Sequence, residues 1–221
     1  MMSITDNVQS ILSELPDHVR LVAAVKNRTV EEIREAVEAG VHLIGENYVQ
    51  EAASAFASLG RSVQYHFIGR LQGNKAKKAV DLFDLIETVD SVKIAREIDR
   101  HAGAAGRVMP VLLEINSAKE PQKSGVFFEQ AETLLREITE FGHVRVSGLM
   151  TMGPFLEDPE GLRPYFRETK ACFDRLSSLS VPAAEFSILS MGMSDSYRIA
   201  IEEGANQVRI GTALFGERPP R

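Results

Sequence analysis

Short apolar runs alternate with stretches of helical spacing along nearly the whole chain, and this alternation limits the folds open to it. The runs fall at 21–25, 43–44, 65–68, 82–89, 109–115, 144–149, 186–189 and 208–210. Leu21 to Val25 is continuous rather than alternating in polarity, as expected of a strand buried on both faces in a parallel sheet. Between the runs lie helical patterns. Val8, Ile11, Leu12 and Leu15 share one face before Pro16 stops the first. Thr29-x-x-Glu32 forms a capping box ahead of Val30, Ile33 and Val37, with Gly40 at the C-terminal end. Phe128, Ala131, Leu135 and Ile138 mark another helical face.

Strands and helices in alternation imply a parallel sheet, and eight strands within 221 residues imply a closed ring. The expected fold is therefore α/β: a single-domain (β/α)8 barrel of the TIM type spanning 1–221. An open doubly wound sheet is the competing architecture and ranks well below it. The sequence stops soon after the eighth run, so no eighth helix is expected, and the extra N-terminal helix would cover that gap.

Composition narrows the function classes. A net charge of −6 argues against a nucleic-acid binder, and Lys75, Lys77 and Lys78 read as a solvated helix face. The single cysteine, Cys172, rules out an internal disulfide, fits a reducing cytoplasm and reads as a half-buried helix position. No signal peptide is evident, and no stretch approaches the roughly 20 apolar residues that span a bilayer. The segment 153–164, with its three prolines, reads as a surface loop. The five histidines lack ligand spacing, so no metal is expected, and His66 reads as a core histidine. Neither a Gly-x-Ser-x-Gly elbow nor a Walker-type loop occurs.

The chemistry-bearing residues fall just past strand ends, where the active mouth of a β/α barrel forms. Lys26, Asn47, Arg70, Ser190, Arg209, Gly211 and Thr212 all occupy such positions. Singly, each has a plain structural explanation; together they share one location. After the seventh run, Ser190-Met-Gly-Met-Ser194-Asp195 turns through Gly192 and should open a helix near Ser194 or Asp195. The eighth run ends in Gly211-Thr212. Small residues, backbone N–H groups and hydroxyls after these two strands form the usual phosphate cradle of such barrels. A lysine facing that cradle suggests a phosphorylated carbonyl compound held as a Schiff base. Its amine must be neutral to react, which desolvation or a nearby cation such as Arg209 would favour.

The motifs "AAVKN", "GENYVQE", "HFIGRLQGNK", "EINSAKEPQKSG", "SGLMTMG", "LSMGMSD" and "VRIGTALFG" run in order from Leu21 to Gly216. In this the chain resembles the pyridoxal phosphate homeostasis protein family. The resemblance implies a barrel like the N-terminal domain of alanine racemase, binding pyridoxal 5′-phosphate (PLP). It implies that Lys26 is the Schiff-base lysine and that Ser190, Gly211 and Thr212 hold the phosphate. Backbone around Gly192 and Ser194 would assist, Arg209 would face the pyridine nitrogen, and Asn47, Met150 and His66 would line the ring pocket. Val25, where serine is usual in the family, Arg70 and Gly73 depart from the pattern.

A guanidinium beside the pyridine nitrogen would keep it unprotonated and weaken the ring as an electron sink. Alanine racemase adds a second base from another domain, which this sequence lacks. The expectation is a non-enzymatic, monomeric, cytoplasmic carrier that buffers PLP and delivers it to apo PLP-dependent enzymes, with no nucleic-acid or membrane partner. One alternative is a single-domain racemase using Tyr48 or Tyr197 as second base. Another is a Schiff-base aldolase acting on a sugar phosphate. The loop 119–125, with Lys123, reads as solvated rather than as a second anion site.

Overall fold

The computed structural model of the chain describes residues 3–217. The first helix, α1 (Ile4–Glu14), opens on a capping box in which Ser3 and Asp6 satisfy each other's backbone amides. The apolar runs become β1 (Arg20–Ala24), β2 (Leu43–Glu46), β3 (Gln64–Phe67) and β4 (Leu85–Val89). They continue as β5 (Met109–Ile115), β6 (Val144–Thr151), β7 (Ala184–Ser190) and β8 (Gln207–Ile210). All eight pair in parallel in chain order, and β8 closes on β1, with Val22 opposite Arg209 and Ala23 opposite Ile210. The expected closed barrel is what the chain forms.

Seven connections carry helices: α2 (Val30–Glu38), α3 (Val49–Leu59), α4 (Ala76–Leu82), α5 (Val92–Ala104), α6 (Ala131–Ile138), α7 (Arg163–Ser177) and α8 (Tyr197–Glu202). The Thr29–Glu32 capping box forms as expected, with Glu32 N–H donating to Thr29 Oγ1 at 3.2 Å and Thr29 N–H to Glu32 Oε2 at 2.7 Å. At the other end of α2, Val41 N–H bonds Ala36 O and Gly40 N–H bonds Val37 O, the Schellman pattern. Gly40 makes this possible at φ +119°.

The barrel has two apolar layers. Leu21, Ala23 and Val25 face outward and join the large core beneath the helices, with Ile44, Phe67, Ile86, Leu113 and Phe166. The alternate residues face inward, where Val22, Leu43 and Ile68 form one small cluster and Leu85, Leu112 and Met150 another. The inward residues at the next level up are polar, and they build the site.

Four local readings change. Leu82 ends α4 rather than starting β4, because Phe83 N–H still bonds Ala79 O. A turn precedes α8, with Met193 O accepting from Ser196 and Tyr197, so that helix starts at Tyr197 rather than at Ser194 or Asp195. A single helical turn, α9 (Thr212–Phe215), follows β8 where no helix was expected. Cys172 is fully buried rather than half-buried, and burial pushes its thiol pKa up. The extra N-terminal helix does fill the ring. It packs on α2 and α9, Asn7 donates to Leu214 O at 3.0 Å, and Glu14 accepts from Tyr197 and Arg198 of α8.

Candidate functional site

The floor of the mouth is a buried charge network. Glu87, two residues along β4 from inward-facing Leu85, is wholly excluded from solvent. His66 Nδ1 lies 2.7 Å and Gln207 Nε2 2.9 Å from its Oε1, and the Ser190 hydroxyl donates to its Oε2 at 2.6 Å. Arg209, 4% exposed, donates through Nη1 to Ser190 Oγ at 2.6 Å and through Nη2 to Thr151 O at 2.7 Å. Its Nη1 is 3.9 Å from Glu87 Oε2. Burial alone would raise the Glu87 pKa, but the His66 hydrogen bond and the His66 and Arg209 charges hold it below the ordinary carboxylate value. Burial lowers the Arg209 pKa against the pull of Glu87 and Glu114, yet a guanidinium keeps its proton in proteins. The floor is thus a fixed cation on a fixed anion.

Glu114, on β5, is a second inward carboxyl. Burial, then the Asp90 charge, pushes its pKa up to about 7 against the opposing pull of Arg209 and Arg70. Facing the helices instead, Glu46 ends β2 with Oε2 buried and without a partner among the described residues. Burial, then Glu51, pushes its pKa up to about 8.

The cradle stands one level above the floor. Ser194 Oγ accepts from the amides of Gly211 at 3.2 Å and Ala213 at 3.1 Å, tying the loops after β7 and β8 together. Gly192 turns between them at φ +93°, where a Cβ would lie 2.6 Å from Ala200 Cβ and 2.9 Å from Tyr197 Cα. Thr212 is exposed beside these amides. These groups lie together past the ends of β7 and β8. The hydroxyl of Ser190, expected to hold a phosphate, is already engaged by Glu87 and Arg209 and wholly buried.

Lys26 stands two residues past β1, half-buried, with Nζ 5.2 Å from the Tyr48 ring centroid. Because Ala23 pairs with Ile210, Lys26 and Gly211–Thr212 extend from neighbouring strands at the same mouth. Lys26 also edges a cavity of about 970 Å³ with Asn47, Tyr48 and Arg70, over the ends of β1 to β4. His66 and Met150 do not line it. His66 is a satisfied core histidine in the floor, and Met150 packs against Leu85 and Leu112 inside the barrel. Tyr197 is also removed from the mouth, since its hydroxyl donates to Glu14 of α1 at 3.1 Å.

Glu87, Glu114 and Gln207 escaped the sequence reading. Their signal was a polar group inside an otherwise apolar strand, as in Leu-Ile-Glu87-Thr-Val and Val-Leu-Leu-Glu114-Ile. Among the described residues no cluster of His, Cys, Asp and Glu could hold a metal ion, and no helix is long and apolar enough to cross a membrane.

A parallel barrel with Lys26 and the Ser194–Gly211 loops at its C-terminal mouth defines a class, and residues 1–219 match the alanine racemase N-terminal domain family. A pyridoxal phosphate homeostasis protein of Aquifex aeolicus is 42% identical over 203 residues, covering 90% of this chain and 87% of that protein. The chain belongs to the pyridoxal phosphate homeostasis protein family. PipY of Synechococcus elongatus, solved with PLP bound, superposes with a TM-score of 0.89 at 35% identity, over 97% of this chain and all of that one. Alanine racemase of Clostridium difficile shares the fold, with a TM-score of 0.84 at 17% identity, and the match covers 57% of that chain.

Proposed function

We propose that this protein binds PLP covalently and reversibly through Lys26, and buffers or delivers it without substantial turnover of its own. The observation that carries the reading is the pairing of Lys26, past β1, with the Ser194–Gly211–Ala213 cradle on the adjoining loops. The donor set fits the cofactor. Backbone amides and hydroxyls suit a phosphate, Gly192 leaves room no Cβ could share, and Arg209 is a fixed buried cation suited to an aromatic nitrogen lone pair. Bound, the cofactor supplies an aldehyde carbon open to reversible capture by an amine.

The chain's own residues favour holding over turnover. Arg209 keeps its proton, so a ring nitrogen facing it stays unprotonated, which limits the stabilisation of a substrate carbanion. Two-sided proton transfer also requires a second base opposite Lys26. Tyr197 is tied to Glu14, which leaves Tyr48, beside Lys26, as the residue a racemase reading would need.

The test is the visible absorbance of the purified protein with added PLP. A yellow band that disappears in Lys26→Ala supports the reading, and no Lys26-dependent band refutes it. Incubation of the loaded protein with L-amino acids should then yield no D-enantiomer above a protein-free control. Tyr48-dependent production of D-enantiomer would instead establish the racemase.

A further inference from the structure

The cavity over β1 to β4 is not the phosphate cradle. None of Ser190, Gly192, Ser194, Arg209, Gly211 or Thr212 lines it, so it meets the residues assigned to the cofactor at Lys26 and Asn47 alone. Its far side is basic. Arg70 follows β3, Lys75 ends the 3-10 turn Gly73–Lys75, and Lys93 lies in the first turn of α5. Among the described residues Asp90 is the only acidic one in its lining.

Carboxylates outside the cavity feel this charge, Glu114 that of Arg70 and Glu97 that of Lys93, without closing an ion pair on it among the described residues. Lys77 pairs with Asp81, but among the described residues no carboxylate forms an ion pair with Arg70, Lys75 or Lys93. Glu97, whose charge Lys93 also feels, is held by Arg100 at 2.6 Å. Lys75 therefore belongs to the cavity rather than to a solvated helix face with Lys77. Lys26, Arg70, Lys75 and Lys93, four cations against one carboxylate in the described lining, form a local positive focus in a protein of net charge −6.

We propose that this cavity is a second anion site, which binds a phosphate monoester beside the cofactor. With Lys26 taken up by the cofactor, three cations and one carboxylate remain in the lining and complement a dianion, and at neutral pH a phosphate monoester carries about −1.5 to −2. Arg70 offers a planar fork and the two lysines point charges, the combination that phosphate oxygens accept. At about 970 Å³ the cavity takes a ligand with a substantial organic part, not only the ion. The inference rests on the proposed function only in assigning the cradle to the cofactor's own phosphate.

The test uses the protein already loaded with PLP, titrated with inorganic phosphate, with O-phosphoserine and with succinate, and followed by calorimetry. Wild type should bind one equivalent of either phosphate compound. Lys75→Gln/Lys93→Gln should weaken that binding by about tenfold or more, the loss expected from charged hydrogen bonds, with the Lys26-dependent band unchanged. Arg70→Gln alone should weaken it measurably. Equal phosphate affinity in wild type and the double variant would overturn the proposal, and so would succinate binding as tightly as phosphate. Failure of the cofactor reading would register separately, as a missing absorbance band before any phosphate is added.

Discussion

Replacing Glu87 by glutamine keeps the volume of the side chain and removes its charge from the barrel floor. Arg209 would then stay buried, at 4% exposure, without the carboxylate 3.9 Å from its Nη1. One of the three donors now converging on Glu87, from His66, Ser190 and Gln207, would meet an amide N–H instead of an oxygen. Breaking one side of a buried ion pair costs about 3–5 kcal/mol, a large part of the ~5–15 kcal/mol that holds a typical domain together. Urea unfolding of the cofactor-free protein at pH 7 should show that loss. The sign with pH follows from the depressed carboxylate. Its contribution is complete above the unfolded carboxyl value, near 4.5, and fades as pH falls through the lower folded value. Wild type should therefore lose its advantage over Glu87→Gln only in acid. Glu87→Gln/Arg209→Met removes both charges and should be more stable than the sum of the single effects by about 1.5 kcal/mol or more. Additive losses, or a cost for Glu87→Gln below about 1 kcal/mol, would refute the account of the floor as an ion pair under tension with its own burial.

Two further perturbations probe the cradle and the helix layer. Gly192→Ala puts a Cβ 2.6 Å from Ala200 Cβ at φ +93°, and should cost about 1–3 kcal/mol in urea unfolding. It should also weaken PLP binding by spectrophotometric titration. Glu46 has a folded pKa raised to about 8, so its burial lowers stability progressively as pH rises from near 4.5 towards 8. Glu46→Gln removes that slope, and its urea midpoint should change less than that of wild type between pH 5 and 8. An equal slope in both proteins would show that Glu46 is not the group responsible.

The barrel was legible because short, largely apolar runs, most of them buried in the barrel wall, recur between stretches of helical spacing along the chain. The cradle was legible because Gly192 and Gly211 mark tight backbone just past two such runs. The floor was not. Glu87 and Glu114 sit in strands whose apolar character hides them, and their partners come from β3, β7 and β8, contacts that only closure of the barrel creates. Ser190 was read from its position at a strand end, yet the inward pleat turns its hydroxyl onto Glu87. Lys75 was grouped with its sequence neighbours, but the 3-10 turn separates it from Lys77 and brings it to the cavity lining. Sequence pattern gives the level of a residue in the barrel, whereas partners across the barrel decide what it does there.

That division bears on why such a site would hold a cofactor and also release it. Each floor group is fixed by at least one buried partner, so the cation beneath the site is held in place by the protein's own groups. The rim is built differently. Tyr48 after β2, Met152 and Phe155 after β6, and Met193 after β7 all expose large apolar surface around the strand ends, Phe155 to 89%. An enzyme that excludes water from its chemistry covers such a rim, because closure strengthens every charge inside. On the proposed reading, apolar side chains exposed around a rigid floor would favour exchange of the cofactor with solvent or with an approaching acceptor. On the same reading, a preorganised cation below sets how firmly the cofactor is held, and the uncovered mouth sets how readily it leaves.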